Sequence, residues 1–209
     1  MKLVYRGAEA DIFAGTWGGS KAIFKFRKAL PYRHPDLDAE IRAQRTIREA
    51  EILHAARSKG VNSPCLYYLS QPESLIVMER IEGQRLKSLL GSGDIDTEEI
   101  SREFGAAVGR LHRGGIMHGD LTTSNVLLDG SGIRLIDFGL SSHSVKVEDH
   151  AVDLRLIKET LVGAHSALAS KVLASFMTGY SGEVGETRAR AVSAKLVEIE
   201  RRGRYARVD

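Results

Sequence analysis

Two short runs of sequence decide the fold: His118-Gly119-Asp120-Leu121-Thr122-Thr123-Ser124-Asn125-Val126-Leu127-Leu128 and Ile133-Arg134-Leu135-Ile136-Asp137-Phe138-Gly139. A glycine pair, Gly114-Gly115, stops the helical pattern that precedes the first run. Apolar and β-branched residues follow Asn125 and precede Asp137, which predicts a β-hairpin over residues 125–137. Three polar side chains, those of Asp120, Asn125 and Asp137, therefore flank one short hairpin.

The two runs resemble the catalytic loop and the metal-binding turn of protein kinases. The resemblance implies that Asp120 accepts or orients the proton of an attacking hydroxyl or water, while Asn125 and Asp137 hold Mg²⁺ against the phosphates of ATP. Phosphoryl transfer depends mainly on the placement of charge, and oxygen ligands suit that task. Either motif alone is read more safely as a turn, but two correctly ordered motifs around a hairpin favour the kinase interpretation.

We therefore predict an α+β fold of the minimal bilobal protein-kinase type. The N-lobe, residues 1–80, should hold an antiparallel sheet and one long helix, and residues 81–209 should form a reduced, mainly helical C-lobe. Strand patterns cover residues 3–6, 12–17, 21–26, 65–69 and 75–78, which together predict a five-stranded sheet. A helical pattern covers residues 37–58, with Asp36 as its expected cap and Gly60 after its end.

The C-lobe pattern is helical on both sides of the hairpin. Helices are predicted over residues 84–90 and 97–113, the second of them capped by Asp96 or Thr97. Three more helical segments are predicted at about residues 148–162, 166–177 and 183–202.

The composition is that of a globular protein. Hydrophobic residues make up 43% of the 209 residues and charged residues 27%, which excludes a disordered or collagen-like chain. The formal charge of +3 is a mild excess that hints at an anionic partner. The single cysteine, Cys65, cannot form an internal disulfide, and charge appears too early for a signal peptide. We expect a cytoplasmic protein with no membrane segment.

The kinase resemblance makes a demand on the N-lobe, where a strand lysine should contact the ATP phosphates and pair with a helix glutamate. Lys25 follows the apolar run Ala22-Ile23-Phe24 and resembles that lysine. Glu49 lies on the apolar face of the predicted helix and is chosen as its partner. A solvent-exposed Glu49 would refute the pairing, and strand alternation places Arg27 on the same face as Lys25.

The nucleotide-covering loop and the adenine pocket are less distinct in sequence. The expected phosphate loop, Gly7-Ala8-Glu9-Ala10, keeps only the first of three glycines. Glu9 within it either faces solvent or contacts Lys25 or a phosphate-bound metal. The adenine is expected beside Met78, with main-chain hydrogen bonds from Glu79 to Ile81, although Met78 is equally well read as a core residue.

Two departures separate the chain from regulated protein kinases. Gly119 replaces the arginine that would pair with a phosphorylated activation segment. Only residues 140–147 precede the next helix, and no Ala-Pro-Glu motif closes an activation segment. These departures predict intact ATP and metal chemistry with little room for an extended peptide substrate.

Motifs throughout the chain resemble the small atypical kinase subunit of the KEOPS complex. The most diagnostic are Tyr32-Arg33-His34-Pro35-Asp36-Leu37-Asp38 and the Thr122-Thr123-Ser124 run before Asn125. Other matches are Gly7-Ala8-Glu9-Ala10, Phe24-Lys25-Phe26-Arg27-Lys28, Arg45-Thr46-Ile47-Arg48-Glu49-Ala50, Ala151-Val152-Asp153-Leu154 and Arg202-Gly203-Arg204.

The resemblance implies a role in the threonylcarbamoyl modification of tRNA adenosine beside the anticodon. It implies an ATPase or kinase bound through its C-lobe to the catalytic threonylcarbamoyl-transferase subunit, with a small regulatory subunit on the N-lobe. The C-terminal end is basic, which suits tRNA phosphates but equally suits a solvated terminal helix. Its basic residues are Arg188, Arg190, Lys195, Arg201, Arg202, Arg204 and Arg207.

Three other functions compete with this interpretation. A stand-alone Ser/Thr protein kinase acting on free proteins is the main alternative. An aminoglycoside-type phosphotransferase also has a His-Gly-Asp loop, but it usually needs a larger C-terminal substrate lobe. A non-enzymatic scaffold is disfavoured because the complete set of kinase site residues is retained.

Overall fold

The computed structural model describes the backbone of residues 1–205 and the side chains through Arg202. Its first part is a five-stranded antiparallel sheet in the order β1-β2-β3-β5-β4. The strands are β1 (Lys2–Arg6), β2 (Ala10–Trp17), β3 (Ser20–Arg27), β4 (Leu66–Ser70) and β5 (Leu75–Glu79). The predicted five-stranded sheet is confirmed, and each strand lies within two residues of its predicted bounds.

The β2–β3 hairpin shows why this sheet forms locally. Gly18 and Gly19 have φ values of +55° and +83°, which a two-residue hairpin turn requires and which glycine adopts without strain. The register that follows pairs Ile12 with Lys25 and Phe13 with Phe24. Because the pairing is fixed, Lys25 and the neighbouring Arg27 both lie on the face that helix α1 covers.

Helix α1 (Pro35–Ser58) differs from its prediction at the N-terminus. The cap is His34, which makes no side-chain capping bond, so the prediction of Asp36 as the cap was wrong. Pro35 occupies the first helical turn, where its missing N–H costs nothing, and this starts the helix two residues earlier. Asp36 lies in the first turn and interacts favourably with the helix dipole.

The second part of the chain is mainly helical. Its elements are β6 (Gln84–Arg85), α2 (Leu86–Leu89), α3 (Thr97–Arg113), β7 (Ile116–Met117), β8 (Val126–Asp129), β9 (Gly132–Leu135), β10 (Ser142–His143), α4 (Val147–Val184) and α5 (Glu186–Tyr205). Asp96 caps α3 through the amides of Glu98 and Glu99, as predicted. The β8–β9 hairpin lies where the sequence predicts it.

Three of the helices predicted in this lobe were wrong in extent. Gln84 and Arg85 pair with β8 rather than opening a helix, so α2 keeps only four residues. A Cβ on Gly83 would lie 2.6 Å from the carbonyl oxygen of Leu128, which shows how closely this segment runs beside β8. The predicted helices at 148–162 and 166–177 form one element, α4, kinked at His165 and continuing to Val184.

The core of the C-lobe lies between α3 and α4, which approach closely through glycine. A Cβ on Gly105 would lie 1.9 Å from the carbonyl oxygen of Phe176, and one on Gly179 would lie 1.9 Å from that of Arg102. Backbone contact at this distance brings the aromatic side chains Phe104, Phe176 and Tyr180 into one buried cluster. Leu121, in the run after Asp120, belongs to the same hydrophobic core.

Among the helices of the described chain, none has the length and apolarity needed to cross a membrane.

Candidate active site

A cavity of about 490 Å³ lies between the sheet and the 118–139 segment. Its volume falls in the range of small-molecule sites. The residues predicted for the site that line it are Lys25, Glu49, Met78, Glu79, Ile81, Asp120, Asn125 and Asp137. The structure therefore brings together eight predicted side chains from both lobes at one cleft.

Lys25 is the centre of a buried ion-pair cluster. Its Nζ lies 2.6 Å from Glu49 Oε1 and 2.8 Å from Asp137 Oδ1. Only 3% of the Glu49 side chain is exposed, so the pairing passes the burial test set from the sequence. The pair joins β3 to helix α1, and the Asp137 contact joins both to the C-lobe.

The cluster determines how its members are charged. Burial opposes the charge on Lys25, but the adjacent carboxylates of Glu49 and Asp137 outweigh it and hold the pKa of Lys25 above its ordinary value. Burial likewise opposes the charge on Asp137, yet the Lys25 ammonium keeps the pKa of that carboxyl below its ordinary value. Lys25 is therefore a cation and Asp137 an anion at neutral pH.

Asp120 and Asn125 are tied to each other within the catalytic loop. Asn125 Nδ2 donates to the carbonyl oxygen of Asp120 at 2.9 Å and to its Oδ2 at 2.8 Å. Because the amide nitrogen makes both bonds, the amide oxygen is the atom that can ligate a cation. The main chain of Asn125 also accepts from the amide of Ile136 at 3.0 Å, which places it beside Asp137.

The turn at Asp137 is backbone geometry of a kind found at functional sites. Asp137 has a φ of +63°, a conformation that costs a non-glycine residue about 1–3 kcal/mol. Phe138 is buried behind it, and its ring packs beside that of His118. A Cβ on Gly139 would lie 3.2 Å from Lys25 Nζ, so glycine leaves room for the lysine. Packing behind the turn thus holds the Asp137 carboxylate at the cleft.

Asp153 on α4 anchors the catalytic loop from beneath, and the sequence analysis assigned it no role. Its carboxylate accepts from the amide of His118 at 2.6 Å and from that of Gly119 at 2.8 Å. The same carboxylate lies 3.1 Å from His112 Nε2. Asp153 is fully buried. An acidic residue on the apolar face of a predicted helix is the sequence pattern that could have identified it, because a buried carboxylate needs a partner.

Gly119 is required by the geometry of this anchored loop. Its φ is +79°, and a Cβ there would lie 2.3 Å from the carbonyl oxygen of Leu140. Any side chain at this position would push Leu140 away from the loop. The arginine that regulated protein kinases have at this position would therefore not fit in this fold.

The short segment after Gly139 folds directly against the catalytic loop. Ser141 Oγ donates to the carbonyl oxygen of His118 at 2.7 Å, and β10 pairs with β7, His143 opposite Ile116. Helix α4 begins at Val147, immediately after. The segment between Gly139 and α4 is therefore short, as predicted. Because it packs against the catalytic loop, it offers no extended surface for a peptide substrate.

The phosphate loop differs from its prediction. Gly7, Ala8, Glu9 and Ala10 are not part of the cavity wall, which is formed at this side by Val4, Tyr5 and Ile12. Glu9 contacts neither Lys25 nor the cleft, because its Oε2 lies 2.5 Å from Arg45 Nη1 on helix α1.

Two interactions hold this loop in its place. The hydrogen bond from Arg45 holds the pKa of Glu9 below its ordinary value. Lys28 Nζ donates to the carbonyl oxygen of Gly7 at 2.6 Å, which fastens the loop from the other side. The loop is therefore tied to Lys28, directly after β3, and to α1 rather than to the cleft.

The hydrogen bonds of the segment between the lobes show which of its main-chain amides could bind adenine. Met78 is half-buried on the cavity wall, and the Glu79 side chain is turned to Arg134, with Oε2 2.9 Å from Nη2. The amide of Glu79 donates to Cys65 and that of Arg80 to Lys21. Ile81 is therefore the residue of this segment whose amide suits a ligand. Arg85, which the sequence analysis did not single out, also lines the cavity.

The basic C-terminal residues are partly engaged within the chain. Arg188 Nη2 donates to the carbonyl oxygen of Val145 at 2.5 Å and lies 3.1 Å from His150 Nδ1. Lys195 and Arg202 both pair with Glu198. The side chains of Arg204 and Arg207 lie outside the described residues. These contacts neither support nor contradict tRNA binding by the C-terminal end, which stays a prediction.

The side-chain oxygens of Asn125 and Asp137 in the cleft fit a metal that is partly held by phosphate. Within the described part of the chain, no group of three or more His, Cys, Asp and Glu side chains could hold a metal ion alone. Mg²⁺ keeps water and phosphate oxygens around it and needs only one or two protein oxygens. Asn125 and Asp137 supply that number of ligands.

Comparison with protein families gives one match that covers most of the chain. The protein kinase domain model matches residues 21–184, which includes the Lys25 strand and the whole catalytic segment. Among solved structures, the Rio2 kinase from Chaetomium thermophilum, in an ADP/Mg²⁺-phosphoaspartate complex, superposes with a TM-score of 0.65. That likeness has 16% identity and covers 96% of this chain and 72% of the other. It supports the kinase fold.

Curated relatives are much more similar in sequence. The KEOPS complex subunit Bud32 of Pyrococcus abyssi is 40% identical in an alignment of 212 positions that covers 98% of this chain and 96% of that protein. A probable bifunctional tRNA threonylcarbamoyladenosine biosynthesis protein of Methanothermobacter thermautotrophicus is 39% identical over 203 residues. The match covers 97% of this chain but 36% of that longer relative.

Proposed function

This chain belongs to the protein kinase domain family and, within it, to the Bud32 proteins, and on that premise we propose that it is the ATP-dependent kinase or ATPase subunit of a KEOPS complex. In that role it supports the threonylcarbamoyl modification of tRNA adenosine next to the anticodon. Family membership confirms the resemblance predicted from the sequence. The family and the cleft together support a phosphotransferase.

One observation carries the proposal: the convergence of Lys25, Glu49, Asp120, Asn125 and Asp137 on a single cleft between the lobes. A purely structural role would not need a buried lysine between two carboxylates, because apolar residues of similar volume would pack there without the cost of desolvating charge. Nor would it need a strained aspartate turn held open by Gly139. The arrangement has the charge placement that phosphoryl transfer requires.

The residues divide the chemistry between them. Lys25, positioned by Glu49, binds the α and β phosphates of ATP, and Asp120 orients the attacking hydroxyl or water through its carboxylate. Asn125 and Asp137 hold Mg²⁺, which when bound neutralises the phosphate charge. Ile81, beside Met78 and Glu79, contributes the main-chain contact to adenine. Residues 7–10 cover the phosphates only after their bonds to Arg45 and Lys28 rearrange.

The acceptor is more consistent with water or a bound partner than with an extended peptide. Residues 140–146 are packed against the catalytic loop, so the platform on which protein kinases lay a peptide is missing from the described chain. For this reason we favour the KEOPS subunit over a stand-alone Ser/Thr protein kinase. A water acceptor makes the reaction an ATPase, and a serine acceptor makes it a kinase.

The partners follow from the same proposal. The C-lobe binds the threonylcarbamoyl-transferase subunit, and the N-lobe binds a small regulatory subunit. Exposed apolar residues on the sheet outside the cavity wall, such as Trp17 and Tyr68, support a protein contact on the N-lobe. The basic C-terminal residues contact tRNA phosphates. We place the complex in the cytoplasm, where tRNA is available.

ATP hydrolysis and protein phosphorylation by the purified chain, measured alone and with its transferase partner and tRNA, test the proposal. We expect ATP turnover that depends strongly on the partner and on tRNA. Asp120→Ala and Asp137→Ala should each reduce turnover by about a hundredfold or more, because each removes charge placed for the transition state. Partner binding, measured by gel filtration, should be retained in both variants.

The control is Asp129→Ala, which removes a carboxylate from the β8–β9 hairpin outside the cleft and should leave turnover unchanged. Unaltered hydrolysis in Asp120→Ala and Asp137→Ala would refute the mechanism. Efficient phosphorylation of added proteins, indifferent to partner and tRNA, would favour the stand-alone kinase instead.

A further inference from the structure

Glu49 is held by two cations rather than by one. Lys25 Nζ lies 2.6 Å from its Oε1, and Arg27 Nη2 lies 2.5 Å from its Oε2. The side chains of Lys25, Arg27 and Glu49 are 9%, 6% and 3% exposed. Each carboxylate oxygen therefore has its own buried cationic partner, and the plane of the carboxylate is fixed from both sides.

The second cation changes the charge balance of the site. Lys25 alone would face two carboxylates, the buried one of Glu49 and that of Asp137, whose side chain is 46% exposed, and one negative charge would lack a cationic partner in the protein. Arg27 brings the four-residue cluster to neutrality. With Glu49 already paired by Arg27, Lys25 is free to direct an N–H group to a phosphate without leaving Glu49 unpaired.

Arg27 is itself fixed to the sheet. Its backbone amide donates to the carbonyl oxygen of Ser74 at 3.0 Å, and its side chain lies under helix α1 on the same strand face as Lys25. The guanidinium cannot lose its proton, and its planar fork suits a carboxylate. The contact between Arg27 and Glu49 is therefore a permanent link between β3 and α1.

We propose that Arg27 is a positioning residue that keeps helix α1 in the conformation in which Glu49 holds Lys25. In larger protein kinases the lysine–glutamate pair depends on the position of this helix, which the activation segment controls. This chain has a short segment packed on the catalytic loop, and Arg27 supplies the restraint from within the N-lobe instead. The inference rests on the proposed ATP-dependent function and adds how its site is kept assembled.

A double-mutant cycle of Arg27→Met and Glu49→Gln tests the proposal, with kcat and KM for ATP measured on the full chain with its partner. We expect Arg27→Met to lower kcat/KM by about tenfold or more, because Lys25 loses its fixed position. In the Glu49→Gln background the same change should cost less than about twofold, since Arg27 acts through Glu49.

The control is Arg42→Met, which removes another arginine–carboxylate pair of helix α1, that with Asp38 at 2.7 Å. It should change kcat/KM by less than about threefold. Arg27→Gln serves in place of Arg27→Met if the latter does not fold. An equal loss in both backgrounds, or a folded Arg27 variant with wild-type kinetics, overturns the proposal.

Amide hydrogen exchange over residues 46–53 separates this inference from the proposed function. Both Arg27 variants should exchange faster there than Arg42→Met at equal global stability. If the wild type hydrolyses no ATP under any condition, the proposed function fails, and exchange still decides the role of Arg27. Unchanged protection of these amides in a folded Arg27 variant would overturn the positioning role.

Discussion

Gly119→Ala probes the catalytic loop most directly, because the added methyl group is disfavoured by the backbone conformation of Gly119 and also overlaps a neighbouring carbonyl group. The φ of +79° disfavours any residue with a Cβ by about 1–2 kcal/mol. The added Cβ would also lie 2.3 Å from the carbonyl oxygen of Leu140, and relief requires a movement of roughly 0.7 Å or more. The loop cannot yield freely, since the amide of Gly119 is bonded to Asp153.

Together these effects predict a loss of about 3 kcal/mol in the free energy of unfolding. For a chain of this size that corresponds to a fall in Tm of about 6–12 °C. ATP turnover should fall as well, by about tenfold or more, because the neighbouring Asp120 moves with the loop. Urea unfolding and steady-state ATP hydrolysis on the same preparation measure both effects.

The matched control is Gly182→Ala, at a helical position where an added Cβ meets nothing within 4 Å. It should raise the free energy of unfolding by about 0.5–1 kcal/mol, because alanine favours helix. A Gly119→Ala protein within about 1 kcal/mol of the wild type and with unchanged turnover would refute the steric account of this loop.

The remaining predictions concern the ion-pair cluster, the helix contact and pH. Lys25→Ala should reduce kcat/KM for ATP by about a hundredfold. The control, Lys21→Ala, removes an exposed lysine from the same strand and should not change it. Equal kinetics in the two variants would mean that another group holds the phosphates. Gly179→Ala should lower the free energy of unfolding by about 3 kcal/mol or more in urea titrations, because its Cβ would overlap the backbone of α3. Burial, and next the neighbouring His112, lowers the pKa of His150 from 6.5 to about 4, so the unfolded chain binds its proton first as pH falls. The contribution of His150 to the free energy of unfolding should therefore fall by about 2 kcal/mol between pH 7 and pH 5, and His150→Phe should remove that part of the pH dependence. An identical pH profile in both proteins would contradict it.

Local patterns were sufficient for most of the fold. The alternation of apolar residues located the strands, and Asp96 and Gly114-Gly115 located the ends of α3, because caps act on their own turn. The predictions failed where distant residues decide. Gln84 and Arg85 have helical neighbours in sequence, but an available edge of β8 draws them into a strand pair. The start of α1 was misplaced for a local reason, because the preference of proline for the first turn outweighed the capping preference of Asp36.

The candidate site divides in the same way. Lys25, Glu49, Asp120, Asn125 and Asp137 were selected from motif and periodicity, and all five lie on the cleft wall. The motif left open whether Glu9 faces solvent or the cleft, and its salt bridge with Arg45, far away in sequence, holds it away from the cleft. No motif in the sequence pairs Glu9 with Arg45, so that contact followed only from the packing of helix α1.

By itself, then, the sequence determined the kinase class, the order of the elements and the identity of the charged residues that converge on the cleft. Only the tertiary structure decided that Arg27 shares Glu49 with Lys25, that Asp153 holds the catalytic loop and that Gly119 has no room for a side chain. The physical reason is range. Caps, turns and periodicity act within a few residues, whereas these contacts join elements that are distant in the chain and form only when each lobe has packed.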